Sequence, residues 1–177
     1  MRASAKVTME DTEVDVESPA SRPVDALELL TQQHRVVQEL FDSVRDRSPA
    51  FYELLENLSI HVEIEELVFY PMLRELGLAE QMLESVEEHL TVKRLIADLV
   101  DDVPLDEETR AAKLRIMQRE VEQHIEREER EIFPAVQRQL GDDELIAIAE
   151  LMIDAMVSLL DEGDEAPLEQ LLSQTAC

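Results

Sequence analysis

The chain holds four histidines, and two of them open the same short motif. His61 begins His61-Val62-Glu63-Ile64-Glu65-Glu66, which runs on to Pro71, and His124 begins His124-Ile125-Glu126-Arg127-Glu128-Glu129, which runs on to Pro134. Both read His, β-branched residue, Glu, any residue, Glu, Glu, then four residues and a proline. Each motif is preceded, one apolar segment earlier, by a lone histidine: His34 before the first and His89 before the second. A residue four places along a helix is turned by about 40° and displaced by roughly 6 Å on the same face. His61 and Glu65 therefore aim at one point, and so do His124 and Glu128. Neutral imidazole and carboxylate suit iron and related borderline ions, and no thiolate set competes, because Cys177 is the only cysteine. Four histidines and two carboxylates in an interior would be costly without a partner. A dinuclear metal cluster serves all six at once.

Blander readings fit each part taken alone. A single histidine on an apolar face is more often a hydrogen-bonded core residue, and His-x-x-x-Glu in a Glu-rich chain is more often a surface pair. The joint pattern is another matter, with one histidine per helical segment, two matched spacings and two matched prolines. Ferritin-like sites use Glu three residues before His. Those positions hold Thr31, Leu58, Val86 and Val121, so that pattern is missing. A mononuclear zinc site is also disfavoured, since six donors exceed its tetrahedral needs.

The elements that must position these residues follow from the apolar spacing. A first helix is expected over about residues 24–45, burying Leu27, Leu30, Val37, Leu40, Phe41 and Val44. Ser48-Pro49 suits the start of a second, which runs to about residue 75 and is closed by Gly77. A third spans about 78–101, with Met82, Val86, Leu90, Leu95 and Leu99 apolar, and breaks at Asp101-Asp102-Val103-Pro104. A fourth covers about 107–140 and stops at Gly141. His34, His61, His89 and His124 fall one to each helix, among core positions. Pro71 and Pro134 lie inside helical pattern and are expected to free the carbonyls of Leu67 and Arg130 and kink their helices beyond the site. Phe69, Tyr70, Ile132 and Phe133 are expected to pack the ends of the second and fourth helices.

A further apolar segment, 145–160, is too apolar to float free. The expected fold is all-α: an antiparallel up-down four-helix bundle over residues 23–141, with an additional C-terminal helix at 142–162 on the bundle or a partner. Residues 1–22 read as a loose acidic tail and 163–177 as a second tail, with Leu168, Leu171 and Leu172 able to add a turn.

With this order of ligands the chain resembles the hemerythrin-like family of cation-binding proteins, over roughly residues 24–140. The motif is His34, then His61 with Glu65, then His89, then His124 with Glu128. The resemblance implies two iron ions bridged by the two glutamates and by an oxo or hydroxo group, with histidines at the terminal positions. It also implies small oxygen species as ligands or substrates: dioxygen, peroxide and, as a further candidate, nitric oxide. Oxygen-carrying members have a second histidine one turn after the third-helix ligand, where this chain has Lys93. Their last carboxylate lies five residues after its histidine, where Glu129 sits beside the better-placed Glu128. Two octahedral irons offer about twelve positions, and this donor set fills about ten. The remainder is open to water, a small ligand or another side chain such as Glu120, although a surface or core-edge role suits that carboxylate better. Lys93 reads as a surface lysine reaching outward. An open cluster favours catalase- or peroxidase-like chemistry over passive carriage; the alternative is a module that senses iron, oxygen or nitric oxide without turnover. No general acid or base is assigned.

Composition narrows the setting. Glycine is scarce, at 3 of 177 residues, as suits an all-helical chain, and the length suits one domain. A formal charge of −26 repels phosphate backbones and anionic headgroups, so nucleic acid and membrane are poor partners. The first residues lack the apolar run of a signal peptide. A reducing cytoplasm is the expected location, with a monomer or homodimer as the assembly.

Overall fold

The computed structural model describes residues 23–44, 48–100 and 105–161. The expected tails, the break at Asp101-Asp102-Val103-Pro104, Leu168, Leu171, Leu172 and Cys177 lie outside them. Among the described residues there is no strand, and five helical rods account for nearly all of them. The first is α1 (Ala26–Ser43). The second joins α2 (Pro49–Ile64), one π-helical turn (Glu65–Phe69) and α3 (Tyr70–Glu75). The third is α4 (Ala79–Val100). The fourth joins α5 (Glu107–Arg127), a second π-turn (Glu128–Ile132) and α6 (Phe133–Gln137). The fifth is α7 (Asp142–Asp161).

The rod ends have local causes. Asp25 caps α1 by accepting from the Glu28 amide at 2.9 Å, and Asp106 caps α5 by accepting from the Thr109 amide at 2.8 Å. Gly77 closes α3 at φ +77°, with Leu78 N–H donating to the Leu73 carbonyl at 2.9 Å and Gly77 N–H to that of Arg74 at 3.2 Å. That double bond needs a left-handed residue, which glycine supplies without a Cβ penalty. Gly141 serves the start of α7: its amide donates to Glu144 Oε2 at 2.9 Å.

Around the rods the apolar side chains form two separate clusters. One holds Leu27, Leu30, Ile64, Phe69, Leu73, Ile132, Val136, Leu145 and Met152. The other holds Val37, Leu54, Leu58, Val62, Ile96, Met117, Val121 and Ile125. Leu40, Phe41 and Val44, expected in the core, pack against the second only half-buried. On the first and third rods the histidine falls between the two clusters, and on the second and fourth the His–Glu pair spans their boundary. His34 separates Leu30 from Val37, and His124 and Glu128 lie between Val121 and Ile132. A buried polar layer thus crosses the interior between two apolar ones.

α7 packs on α1, α2 and the first π-turn, and adds Leu145, Ala149 and Met152 to the first cluster only. Its outer side leaves Leu151, Ile153, Val157 and Leu160 exposed. No described helix is long and apolar enough to cross a membrane.

Where the proline kinks are expected, the backbone changes register. Where the α-helix would bond i to i−4, Tyr70 N–H donates to the Glu65 carbonyl and Phe133 N–H to that of Glu128. Each proline follows directly, so its missing amide falls where the ladder is already shifting. The helices continue through both sites with one residue of slack.

Candidate metal centre

His34, His61, Glu65, His124 and Glu128 offer donor atoms that all lie within 4.8 Å of one another, and all five residues are buried. His89, the sixth expected donor, joins through Glu65, its Nε2 lying 3.2 Å from Glu65 Oε2. The imidazoles fall into two pairs. His34 and His61 have ring centroids 5.0 Å apart, and His89 and His124 are 4.8 Å apart, whereas His34–His124, His61–His89 and His61–His124 are 6.1–6.5 Å apart. The two carboxylates reach both pairs. Glu65 Oε2 is 3.4 Å from His61 Nε2 and 3.6 Å from His124 Nε2. Glu128 Oε2 is 3.3 Å from His34 Nε2 and 3.5 Å from His124 Nε2.

Every imidazole is held from behind. The Nδ1 of His34 meets Glu129 Oε1 at 2.9 Å, and that of His61 meets Gln33 Oε1 at 3.1 Å. The Nδ1 of His89 meets Glu66 Oε1 at 3.2 Å, and that of His124 meets Glu88 Oε2 at 2.9 Å. With Nδ1–H donating outward, each Nε2 is turned to the interior, where its lone pair is free once any second proton has left. The arrangement repeats between the halves. The residue before each lone histidine, Gln33 or Glu88, accepts from the motif histidine, and the glutamate after each inner one, Glu66 or Glu129, accepts from the lone histidine. Two cations support these acceptors. Lys93 Nζ donates to Glu66 Oε2 at 2.8 Å, and Arg127 donates to Glu88 Oε2 at 2.7 Å.

Two residues, Lys93 and Tyr70, stand apart from the sequence-based reading, whereas Glu120 takes the surface role that reading preferred. Lys93 does not reach outward; it is 3 % exposed, because Glu66 and Glu63 draw its ammonium inward. Glu120 takes no part in the cluster and binds Arg119 at the surface. Tyr70 does more than pack a helix end: its hydroxyl lies 3.1 Å from Glu65 Oε2 and 3.0 Å from His89 Nε2. Its counterpart in the second half is Phe133, whose ring stacks on His34 at 5.8 Å and 6°. Gln33, Glu66 and Glu88 carried no signal beyond adjacency to a candidate ligand.

The electrostatics are those of donors gathered without solvent. Burial, aided by the neighbouring imidazoles, pushes His61 down to about 3 in spite of Glu65. Burial opposes charge on His124 too, but Glu128, Glu65 and Glu88 outweigh it and push the ring up to about 10. His34 is likewise raised by Glu128 and Glu65 against its burial. The surrounding histidines hold Glu65 well below the carboxylate range despite its burial, while burial and the charge of Glu65 raise Glu128. Burial, with Glu65 and Glu128, holds the Tyr70 phenol well above its ordinary value.

Several inward atoms have no hydrogen-bond partner: Nε2 of His34, His61 and His124, Oε1 of Glu65, and both oxygens of Glu128. Native interiors rarely leave such atoms unmatched, and converging buried donors are completed by an ion or by ordered water. The donor set, its burial and its convergence fit a metal.

A family model, the hemerythrin HHE cation binding domain, matches residues 25–136. No curated protein and no solved structure matches the chain. A matched stretch that spans all four histidines and both inner glutamates, over a helical fold with a buried His/Glu cluster able to hold metal, places the chain in the hemerythrin HHE cation-binding family.

Proposed function

We propose that this protein holds two iron ions in the antiparallel four-helix part of its fold and uses them to react with peroxide or dioxygen. The observation that carries the reading is the pairing of the imidazoles, with Glu65 and Glu128 each within 3.2–3.6 Å of a histidine in both pairs. One pole would be held by His34 and His61, the other by His89 and His124, and the two glutamates would bridge them. Bound iron would supply Lewis acidity and exchangeable electrons.

The rest is done by the chain. Gln33, Glu66, Glu88 and Glu129 fix the imidazole tautomers and ring angles. Lys93 and Arg127 offset the negative charge that these acceptors add. The two apolar clusters keep bulk water from the centre along the rod axis. A cleft of about 620 Å³ lined by Glu66, Tyr70, Arg74, Met82 and Val86 comes within one side chain of His89 and suits small solutes. An apolar void of about 10 Å³ against His61, His89 and His124 has room for no more than a very small molecule.

The test is the iron content of protein produced in iron-supplemented medium, followed by peroxide decomposition and oxygen uptake. Two irons per chain with turnover is the expected result. Loaded protein inert to both oxidants would overturn the catalytic reading.

A specific contact favours a second reading, in which the centre senses rather than turns over. Gln33, which accepts from His61, also donates through Nε2 to Met156 Sδ of α7 at 3.8 Å, and α7 packs on the π-turn that begins with Glu65. Hydrogen exchange in α7 that changes with metal occupancy would support sensing, and exchange unchanged outside the first four rods would sink it.

A further inference from the structure

The two halves of the centre carry the same inner histidines and glutamates, but where the first has Tyr70 the second has Phe133, and that difference has consequences for metal binding. We propose that Tyr70 is itself a metal ligand, binding through its phenolate oxygen the ion held by His89 and Glu65. The inference rests on the two-iron reading and adds to it a donor of a different chemical class, on one side only.

The geometry comes from three atoms. Tyr70 OH, His89 Nε2 and Glu65 Oε2 form a triangle with edges of 3.0, 3.1 and 3.2 Å. Neighbouring ligands of an octahedral ion are separated by √2 times the bond length, so this triangle corresponds to bonds of about 2.2 Å. That is close to the length at which hard and borderline divalent ions bind nitrogen and oxygen. A single ion beside the triangle would touch all three atoms with little side-chain movement.

The chain puts the tyrosine there by means of the π-turn. In an unbroken α-helix a residue five places on is turned by about 140° and would face another neighbour. The Tyr70 N–H bond to the Glu65 carbonyl instead stacks Tyr70 over Glu65, so both side chains enter the centre. Stacking on His89, at 5.2 Å between centroids and 27° between planes, fixes the phenol ring. The ring is 2 % exposed. Lys93, one turn beyond His89, is held by Glu66 and does not compete for the position.

On coordination the phenol O–H bond breaks heterolytically. The proton leaves to solvent, and the oxygen pair binds the ion, whose charge takes the place of the proton's. Phe133 offers no such oxygen, so the ion on the His34–His61 side keeps a position that its neighbour has filled.

The test is resonance Raman and visible absorption of the ferric-loaded full chain, with iron counted in every sample. Two tyrosines occur in the sequence, and Tyr52, 50 % exposed on α2, is the control. The expected result is a phenolate-to-iron charge-transfer band with enhanced tyrosinate ring modes, kept in Tyr52→Phe and lost in Tyr70→Phe. Loading the wild type should also release one proton more than loading Tyr70→Phe. Should Tyr70→Phe fail to fold, ring-deuterated tyrosine in Tyr52→Phe protein answers the same question, because the enhanced modes must then shift. Two irons per chain without tyrosinate modes would overturn the ligand and leave the two-iron reading standing. A chain that binds no iron would overturn both.

Discussion

Stripping the metal from loaded protein should lower its melting temperature by more than 10 °C, and the size of the effect follows from the unmatched interior atoms. Six nitrogen and oxygen atoms of His34, His61, His124, Glu65 and Glu128 lack hydrogen-bond partners in the buried layer. A buried polar atom left without a partner costs about 1–3 kcal/mol. Six of them therefore amount to roughly 6–18 kcal/mol if nothing relaxes. Side-chain shifts and shared protons, such as the one His124 retains, favour the lower end, about 6 kcal/mol. In a chain of this size each kcal/mol moves the midpoint by about 2–4 °C, which gives a drop of about 12–24 °C. By mass action that stabilisation requires free metal on the order of 10⁴ to 10⁵ times its dissociation constant. Calorimetry or the helical circular-dichroism signal of loaded, chelator-stripped and reloaded samples would measure it. Midpoints within about 2 °C of each other, with iron verified in the loaded sample, would refute the idea that these atoms are matched by an ion.

Three further outcomes are expected. The stripped protein should be most stable near pH 6.5, as read from denaturant titrations across the pH range. His61, lowered from 6.5 to about 3, withdraws stability as pH falls through that window, and His124, raised from 6.5 to about 10, withdraws it as pH rises. Each contributes a slope of about 1.4 kcal/mol per pH unit; the raised His34 steepens the alkaline loss and the raised Glu128 offsets part of the acid one, so stability that does not fall above pH 6.5 would contradict the His124 assignment. Gln33→Ala should weaken metal binding by about 10- to 100-fold in a competition titration, since His61 loses the acceptor that orients it; unchanged affinity would show that the ring is set by other contacts. Lys93→Met should cost about 1–3 kcal/mol in thermal or denaturant melts, because Glu63, 8 % exposed, and Glu66, 27 % exposed, lose their cation, and a neutral result would remove Lys93 from the support of His89.

The inner donors were legible in the sequence because helical spacing is a strong geometric filter. A histidine and a glutamate four apart, twice, with a lone histidine ahead of each, leave little freedom once the segments are helical. The atoms behind the donors were not legible. Gln33 and Glu88 precede a candidate ligand, and Glu66 and Glu129 follow one. Among 42 acidic residues such adjacency carries no weight until the neighbouring helix is in place. Lys93 was misread for the same reason, since the carboxylates that draw it inward come from another rod. The prolines marked a disturbance in the right place but not its form. A missing amide says that the ladder must change there, and the extra residue it takes up shows only in the backbone bonds from Tyr70 and Phe133. That extra residue hid Tyr70, which ordinary α spacing would have turned away from Glu65. The fifth helix was visible as an apolar segment, but its seat on α1, α2 and the first π-turn depends on contacts no periodicity reports.

The two π-turns also set how the chain tolerates changes of length. Each holds one residue beyond the number an ordinary helix would use over the same rise, so losing a single codon within 65–69 or 128–132 leaves a helix that is locally sound. Everything downstream would keep its facing, because Tyr70 or Phe133 would still stack over Glu65 or Glu128, now through an ordinary i to i−4 bond. Leu73 and Val136 would stay buried. Within 67–69 and 130–132 the chain should therefore accept the loss of one residue, which the unbroken helix on either side could not absorb without turning its core face by about 100°.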